Sequence, residues 1–405
     1  MAEGGDRSDP AGETPDDPAG ATPDDPAGER RPLTALGMMS GTSMDGIDVA
    51  LLRTDGRMAV ERGPSLTVPY PAAMRRRIEA GLEDAAAIGR RSDRPGALRE
   101  LEAEITDRHA AAIELFLASN GLRSAEIDLV GAHGQTVLHR PGGGPNGEAL
   151  TVQLLSAGSL ARATGLRIVH DIRQHDIEAG GEGAPLVPLY HRALARGLLR
   201  IAEDEAVAFL NIGGIGNLTF IHADTLIARD TGPGCGLIDQ WVQRHGLPYD
   251  DGGRIAGEGA VDGAFVAAML DRPFFGLNAA RSLDRNDFRL PAGWSPELSD
   301  GARTLARLTA EAVGRSLRHL PDPPDRWIVS GGGARNGAIM ADLADVLAPA
   351  RVDAADALDL DGDAMEAEAW AYLAVRVAKG LNVSEPGTTG RRPLSEDRPK
   401  FAGWL

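Results

Sequence analysis

Only one of the 405 residues, Cys235, is a cysteine. A single thiol excludes an internal disulfide and any zinc site built from cysteines, and it fits a reducing cytosol. Lysine is almost as scarce, with Lys379 and Lys400 the only two. Neither lies near a glycine-rich loop, which excludes the G-K-[ST] phosphate loop, since that loop needs its lysine and a following helix. No apolar run is long enough to span a bilayer, and the chain starts acidic rather than charged-then-apolar. A cytoplasmic protein without a membrane segment is therefore expected. Basic residues number 42 against 59 acidic, giving a formal charge of −17. That balance disfavours nucleic acid or an anionic membrane surface as partner.

What is present is enough apolar chain, 42%, to bury two sizeable cores, so two lobes are expected. The first 32 residues stand apart. "TPDDPAGA" and "TPDDPAGE" repeat back to back there, with nine acidic and three basic residues and almost no large apolar side chain. Such a segment cannot offset the entropy of ordering, and residues 1–32 read as a disordered acidic tail.

Two glycine loops carry the chemistry. In "GMMSGTSMDGID", Gly37–Asp48, hydroxyl residues surround Asp45, with short apolar stretches on both sides. The following "IDVALLRTDG" is too short for an amphipathic helix before its Asp55-Gly56 turn, so the loop joins two strands. An ordinary turn accounts for the glycines but not for the set Ser40, Thr42, Ser43 and Asp45. "AVAFLNIGGIGNLTFI", Ala206–Ile221, repeats the pattern around Asn211, Gly213 and Gly214. One such hairpin in each half predicts a duplicated fold whose lobes face each other across a cleft, with backbone N–H groups available to anions. A third cluster, Gly331-Gly332-Gly333 in "RWIVSGGGARNGAIMADLADVL", lies between a strand and a helix with Ile339, Met340, Leu343 and Leu347 at helical spacing. Glycines there suit either close approach to a flat ring such as adenine or tight packing of helix on strand.

Two phosphate hairpins and a later strand–GGG–helix resemble the acetate and sugar kinase, heat-shock chaperone and actin superfamily. Within it the chain is similar to the anhydro-N-acetylmuramic acid kinase family. The resemblance rests on "GMMSGTSMDGID", "GAHGQTVLHRP", "HDIRQHDIEAGGEGAPLVPLYH", "NIGGIGNLT", "RDTGPGCGLIDQW", "YDDGG", "SGGGARN" and "AMEAEAWAYLA", in order from about 33 to about 390. It implies a two-lobed α/β fold of the actin-like, ribonuclease H-like duplicated kind. One lobe is expected at 33–175 plus about 386–405, the other at 176–385. It also implies ATP and Mg²⁺ as cosubstrates, 1,6-anhydro-N-acetylmuramic acid as acceptor, N-acetylmuramic acid 6-phosphate as product in cell-wall recycling, and a homodimer.

The implied site follows residue by residue. Ser40, Gly41, Thr42, Ser43, Met44, Asp45, Gly46 and Ile47 form the first phosphate cradle, with Asp45 orienting hydrated Mg²⁺; a turn-stabilising Asx role is the alternative. Asn211, Gly213 and Gly214 form the second cradle, and Gly331, Gly332, Gly333 and Asn336 the adenosine side. Asp230, expected at the end of the strand "TLIAR", is the general base for the attacking water, or else a turn or helix cap. Glu366 helps hold that water, unless it lies on a solvated helix face. His133, Gln135 and Thr136, placed after the strand "IDLVGA", meet sugar hydroxyls or simply satisfy their loop. Asp171, Arg173 and Asp176 in "DIRQHD" match a family segment in which Arg173 meets the lactyl carboxylate, unless an Asp–Arg structural pair accounts for them. Cys235 stands where many relatives have asparagine and is not read as a nucleophile. The chain departs from the family pattern at "ARSLDRNDF", keeping Ser282, Arg285 and Phe288, and at "LLSAGSLA". Both put substrate detail in question, so a kinase of a related anhydro sugar such as levoglucosan, or a non-catalytic sensor, stays open.

Overall fold

The apolar run Leu33–Ser40 becomes β1, a strand buried on both faces at the centre of a first sheet. The computed structural model describes residues 31–41, 44–143, 147–276 and 288–391. Thr42, Ser43, Ser282, Arg285, residues 1–30 of the expected tail and the stretch from 392 lie outside the described residues.

In chain order the remaining strands of the first sheet are β2 (Gly46–Thr54), β3 (Val60–Pro69), β4 (Leu129–Arg140), β5 (Leu150–Leu154) and β6 (Ile168–Val169). β3, β2 and β1 form an antiparallel meander, β4 lies parallel to β1, and both β5 and β6 pair with β4. The second sheet comprises β7 (Val207–Ile212), β8 (Ile215–His222), β9 (Thr225–Pro233), β10 (Arg326–Ser330) and β11 (Arg351–Ala354). Its order is β11-β10-β7-β8-β9, with β7, β8 and β9 antiparallel and β10 and β11 parallel to β7. Replacing β1, β2, β3, β4 and β6 by β7, β8, β9, β10 and β11 reproduces the same order and senses. This is the duplicated actin-like topology, and both glycine loops join its first two strands.

Period-2 alternation sorts the side chains into three cores. Leu36 and Met38 of β1 face helices α1 (Ala72–Ala85) and α2 (Leu98–Ser119), packing with Met74, Ile78, Ile105 and Phe116. Ala208, Leu210 and Ile212 of β7 face α8 (Leu298–Ser316) and α9 (Gly337–Val346). Of the helices between, α3 (Ala157–Thr164), α4 (Ile172–Glu178), α5 (Pro188–Ala193), α6 (Gly236–Gln243) and α7 (Gly263–Leu270), α5 matters most for the third core. There the opposite faces of both sheets, through Ala35 and Phe209, share one apolar cluster with Tyr190 of α5 and with helix α10 (Met365–Ala378). α10 lies on β1, β2 and β4, while the short turn Pro386–Thr389 lies on β9. A division at 175/176 and 385/386 gives α10 to the second lobe; its packing is on the first sheet.

Two strand ends differ from expectation. β4 does not stop before His133 but runs on to Arg140, because β5 pairs with its far half. The extra residue at His133-Gly134 is taken up as a bulge opposite Met39, with Gly134 at φ 76. β9 likewise continues past Asp230 to Pro233, paired to β8 with Thr231 as the extra residue. A bulge re-aims its neighbours, and both lie beside expected site residues. Among the described residues no helix is long and apolar enough to cross a membrane.

Candidate active site

Sheet register builds the heart of the site. Ser330 pairs with Asn211, Asn211 with Asn217, and Asn217 with Asp230. Residues opposite one another on neighbouring strands share a face, so four polar side chains form one row across β10, β7, β8 and β9. All four line a cavity of about 520 Å³. Gly41, Gly213, Gly214, His133, Thr136, Arg173 and Glu366 line it too. The structure thus brings together residues from both hairpin tips, the bulge of β4 and the first turn of α10.

The tips are braced by backbone. Gly213 and Gly214 give their carbonyls to the N–H groups of Cys235 (2.7 Å) and Gly234 (3.0 Å). A Cβ on Gly234 would come within 2.3 Å of the Gly213 carbonyl, so the "GPGCG" turn needs glycine to wrap the hairpin. At the first tip, Met44 adopts φ 56 and donates to the Gly41 carbonyl, and Tyr70 N–H reaches the Asp45 carbonyl at 2.8 Å. Ser40 and Gln135 belong to this bracing. Ser40 Oγ donates to Gln135 Oε1 (2.7 Å) and shares a bond with the Tyr70 hydroxyl, while Gln135 Nε2 donates to the Gly41 carbonyl (3.1 Å). Both side chains are fully buried and neither lines the cavity.

Charge gathers around Glu366. Its side chain is accessible and lines the cavity. The surrounding protein raises its pKa, Arg173 opposes that rise, and Asp48 and Asp45 add to it. Glu368, two residues on, points to another face of α10, buried with Arg62 at 2.7 Å and the Tyr190 hydroxyl at 2.8 Å. Asp48 was not singled out from the sequence. It accepts from Thr67 Oγ1 at 2.6 Å, and burial together with Asp45, Asp363 and Asp361 raises its pKa against that bond. Strand alternation alone puts Asp48 on the face of Gly46, and Asp45 comes near it only through the hairpin turn. Among the described residues no three acidic, histidine or cysteine side chains form a ready-made metal cage.

Arg173, on α4, has an Nε buried without a hydrogen-bond partner, and burial lowers its pKa against the pull of Glu366. Asp171 does not pair with it. Burial would raise the Asp171 carboxyl, but His170 at 2.8 Å and Arg91 draw it down to about 2. His133 is 5% exposed and packs on Trp370 with ring centroids 4.7 Å apart. Its ring nitrogens approach the Gly134 and Ser40 backbone without forming a hydrogen bond of good geometry. Burial and Arg173 hold its pKa well below the usual range, so it is a neutral imidazole. Cys235 is pushed up to about 12 by burial and is inert as a nucleophile at neutral pH.

At the third cluster, a Cβ on Gly331 would meet Asn211 Oδ1 at 2.4 Å, and one on Gly333 would meet Ile212 Cγ2 at 2.3 Å. These two glycines let the turn pack on β7, whereas Gly332 is exposed. Asn336 caps α9, accepting from Ala338 and Ile339 N–H at 3.1 Å. A second cavity of about 530 Å³, lined by Gly214, Gly236, Asp239, Gln240 and Gln243, adjoins the second hairpin.

The profile of the family described as Anhydro-N-acetylmuramic acid kinase matches residues 33–396. An anhydro-N-acetylmuramic acid kinase from Rhizobium etli is 53% identical over 359 residues, covering 88% of this chain and 95% of that protein. One from Brucella canis is 50% identical over 370 residues, covering 90% and 98%. Among solved structures, the activator of the 2-hydroxyisocaproyl-CoA dehydratase from Clostridium difficile with bound ADPNP aligns over 87% of this chain and 100% of its own. That alignment has 12% identity and a TM-score of 0.41, a likeness too distant to bear on function. With the paired hairpins, the row ending in Asp230 and a matched segment spanning every described strand, the chain belongs to the anhydro-N-acetylmuramic acid kinase family.

Proposed function

We propose that the chain opens the 1,6-anhydro ring of 1,6-anhydro-N-acetylmuramic acid with water and transfers the γ-phosphoryl group of ATP to O6. The observation that carries this reading is the row Ser330, Asn211, Asn217 and Asp230 lining one cavity with Glu366 and Arg173. Asp230 takes a proton from water as its oxygen bonds to the anomeric carbon. The bond from that carbon to O6 breaks, O6 bonds to the γ-phosphorus, and ADP departs. Two-carboxylate glycoside hydrolysis needs an acid for the leaving oxygen; here the phosphoryl group takes that part. Glu366 holds the water opposite Asp230. Arg173 meets the lactyl carboxylate as a charge-assisted donor, and His133 and Thr136 meet sugar hydroxyls, with Gln135 acting only through the first hairpin.

The hairpin-tip residues Gly41, Gly213 and Gly214 would hold the phosphates of ATP, and Gly332 with the second cavity would take its adenosine. The pooled negative charge of Asp45, Asp48 and Glu366 suits a divalent cation that keeps its own waters and phosphate ligands, which is the habit of Mg²⁺. Asp45 is the residue to hold it, and Mg²⁺ there would neutralise charge on the transferring phosphate. We extend the reading to a cytoplasmic homodimer, which light scattering of the purified chain tests.

ADP release decides the activity. It should be fast with 1,6-anhydro-N-acetylmuramic acid and slow with levoglucosan, which lacks the N-acetyl and lactyl groups. Equal rates would move the substrate class, release without sugar would make the chain an ATPase, and no release would leave only a sensor.

A further inference from the structure

Part of the cavity wall is held by a buried carboxylate that the proposed chemistry does not use. Asp176, the fifth residue of α4, is fully buried. Its Oδ2 accepts from Gly183 N–H at 2.8 Å, and its Oδ1 accepts from the hydroxyls of Ser384 and Thr389, the latter at 3.0 Å. Glu182 N–H also donates to the Thr389 carbonyl at 2.8 Å. Two segments some two hundred residues apart in sequence are thereby joined at one point. Each forms wall: Glu182 and Ala184–Pro188 on one side, Thr388 on the other, all lining the 520 Å³ cavity and none the second cavity. The fit is tight, since a Cβ on Gly181 would lie 2.2 Å from Asp176 Oδ2 and 2.7 Å from Thr389 Oγ1.

We infer that Asp176 is a positioning residue for the acceptor sugar: a buried latch that fixes the Gly181–Pro188 loop and the Ser384–Thr389 segment as one wall. Its three donors are neutral hydroxyl and amide groups, one from the Gly181–Pro188 loop and two from the Ser384–Thr389 segment. A buried carboxylate is costly unless its lone pairs are filled. Removing one donor therefore loosens the wall without touching the reacting atoms. The inference rests on the sugar-kinase reading for the ligand, but the latch itself can be read without any ligand.

The test uses the full-length chain and a pair of substitutions. Thr389→Val keeps the shape and loses the hydroxyl; Thr389→Ser loses a methyl and keeps it. Thr389→Val should raise KM for 1,6-anhydro-N-acetylmuramic acid about tenfold, equivalent to ~1.4 kcal/mol. KM for ATP and kcat at saturating sugar should stay within about twofold. Thr389→Ser should match the unmodified protein, whereas a packing role would make serine the worse variant. Asp176→Asn should follow Thr389→Val in direction. In ligand-free protein, amide exchange at Glu182 and Gly183 should quicken about tenfold in Thr389→Val and not in Thr389→Ser. Unchanged exchange, or a fall in kcat with both KM values unchanged, overturns the latch. An unmodified protein that ignores the anhydro sugar while the exchange pattern holds would overturn the functional reading instead, leaving a latch on a pocket for another acceptor.

Discussion

At Asp230 the proposed chemistry turns on one proton. Asp230→Asn keeps size and hydrogen bonding and removes the base, so ATP and sugar should still bind while kcat falls about 10²–10⁴-fold. Ring opening and phosphorylation should fail together, because O6 becomes nucleophilic only as its bond to the anomeric carbon breaks. Product analysis that finds hydrolysed, unphosphorylated sugar would contradict the assignment. The motif "RDTGPG" singles Asp230 out and the side chain does line the cavity, but the strand runs on through it to Pro233 where a turn is expected. Ser40 and Gln135 show the opposite case. Their residue types suit phosphate and sugar, but only the register pairing Ser40 with Gln135 shows that they spend those groups on each other. Asp48 is illegible in the sequence for a similar reason: its importance comes from Asp45, Asp361 and Asp363 converging on it, two of them over three hundred residues away.

Among the elements, α10 decides how the site is held. It crosses β1 and β4 over Gly37 and Gly131, which are direct cross-strand partners. A Cβ on Gly37 would fall 1.7 Å from the Ala367 carbonyl, and one on Gly131 2.1 Å from the Trp370 carbonyl. The backbones touch because both strands lack a side chain there and the helix supplies alanine. Gly37→Ala should therefore push α10 outward, costing about 1–3 kcal/mol or more, readable as a lowered denaturant midpoint. Since Glu366 stands in the first turn of α10, turnover should drop as well. A fully stable, fully active Gly37→Ala protein would show that the helix can shift freely. Both hairpins and the strand–GGG–helix were legible from local glycine, apolar run and turn chemistry. The bulges in β4 and β9 were not, because they depend on which distant strand pairs with each half, and Gly37 looked like part of the phosphate loop.

For the molecule as a whole, duplication was legible as two similar hairpins. The shared central core was not, since it is a property of the two sheets packing with α5 and α10 between them. Burial in the separate core between α2 and the first sheet makes acid a stress. His109 of α2 is fully buried, donates through Nδ1 to the Ile105 carbonyl at 2.8 Å, and has its pKa lowered from 6.5 to about 4 by burial. Because the unfolded chain takes up this proton first, the stabilisation is complete above pH 6.5 and is lost as pH falls toward 4. Relative to His109→Leu, the unmodified protein should lose about 1.4 kcal/mol of unfolding free energy for each pH unit within that window. Urea titrations with a constant difference between the two proteins across that range would contradict it.

Whether water enters at the sugar while the phosphoryl group goes to O6 is decided by isotope. With ATP, Mg²⁺ and 1,6-anhydro-N-acetylmuramic acid in ¹⁸O-water, label should appear at C1 of the product and not in its phosphate. Label in the phosphate would show that water attacks ATP, and Asp230 would then be the base of a hydrolase.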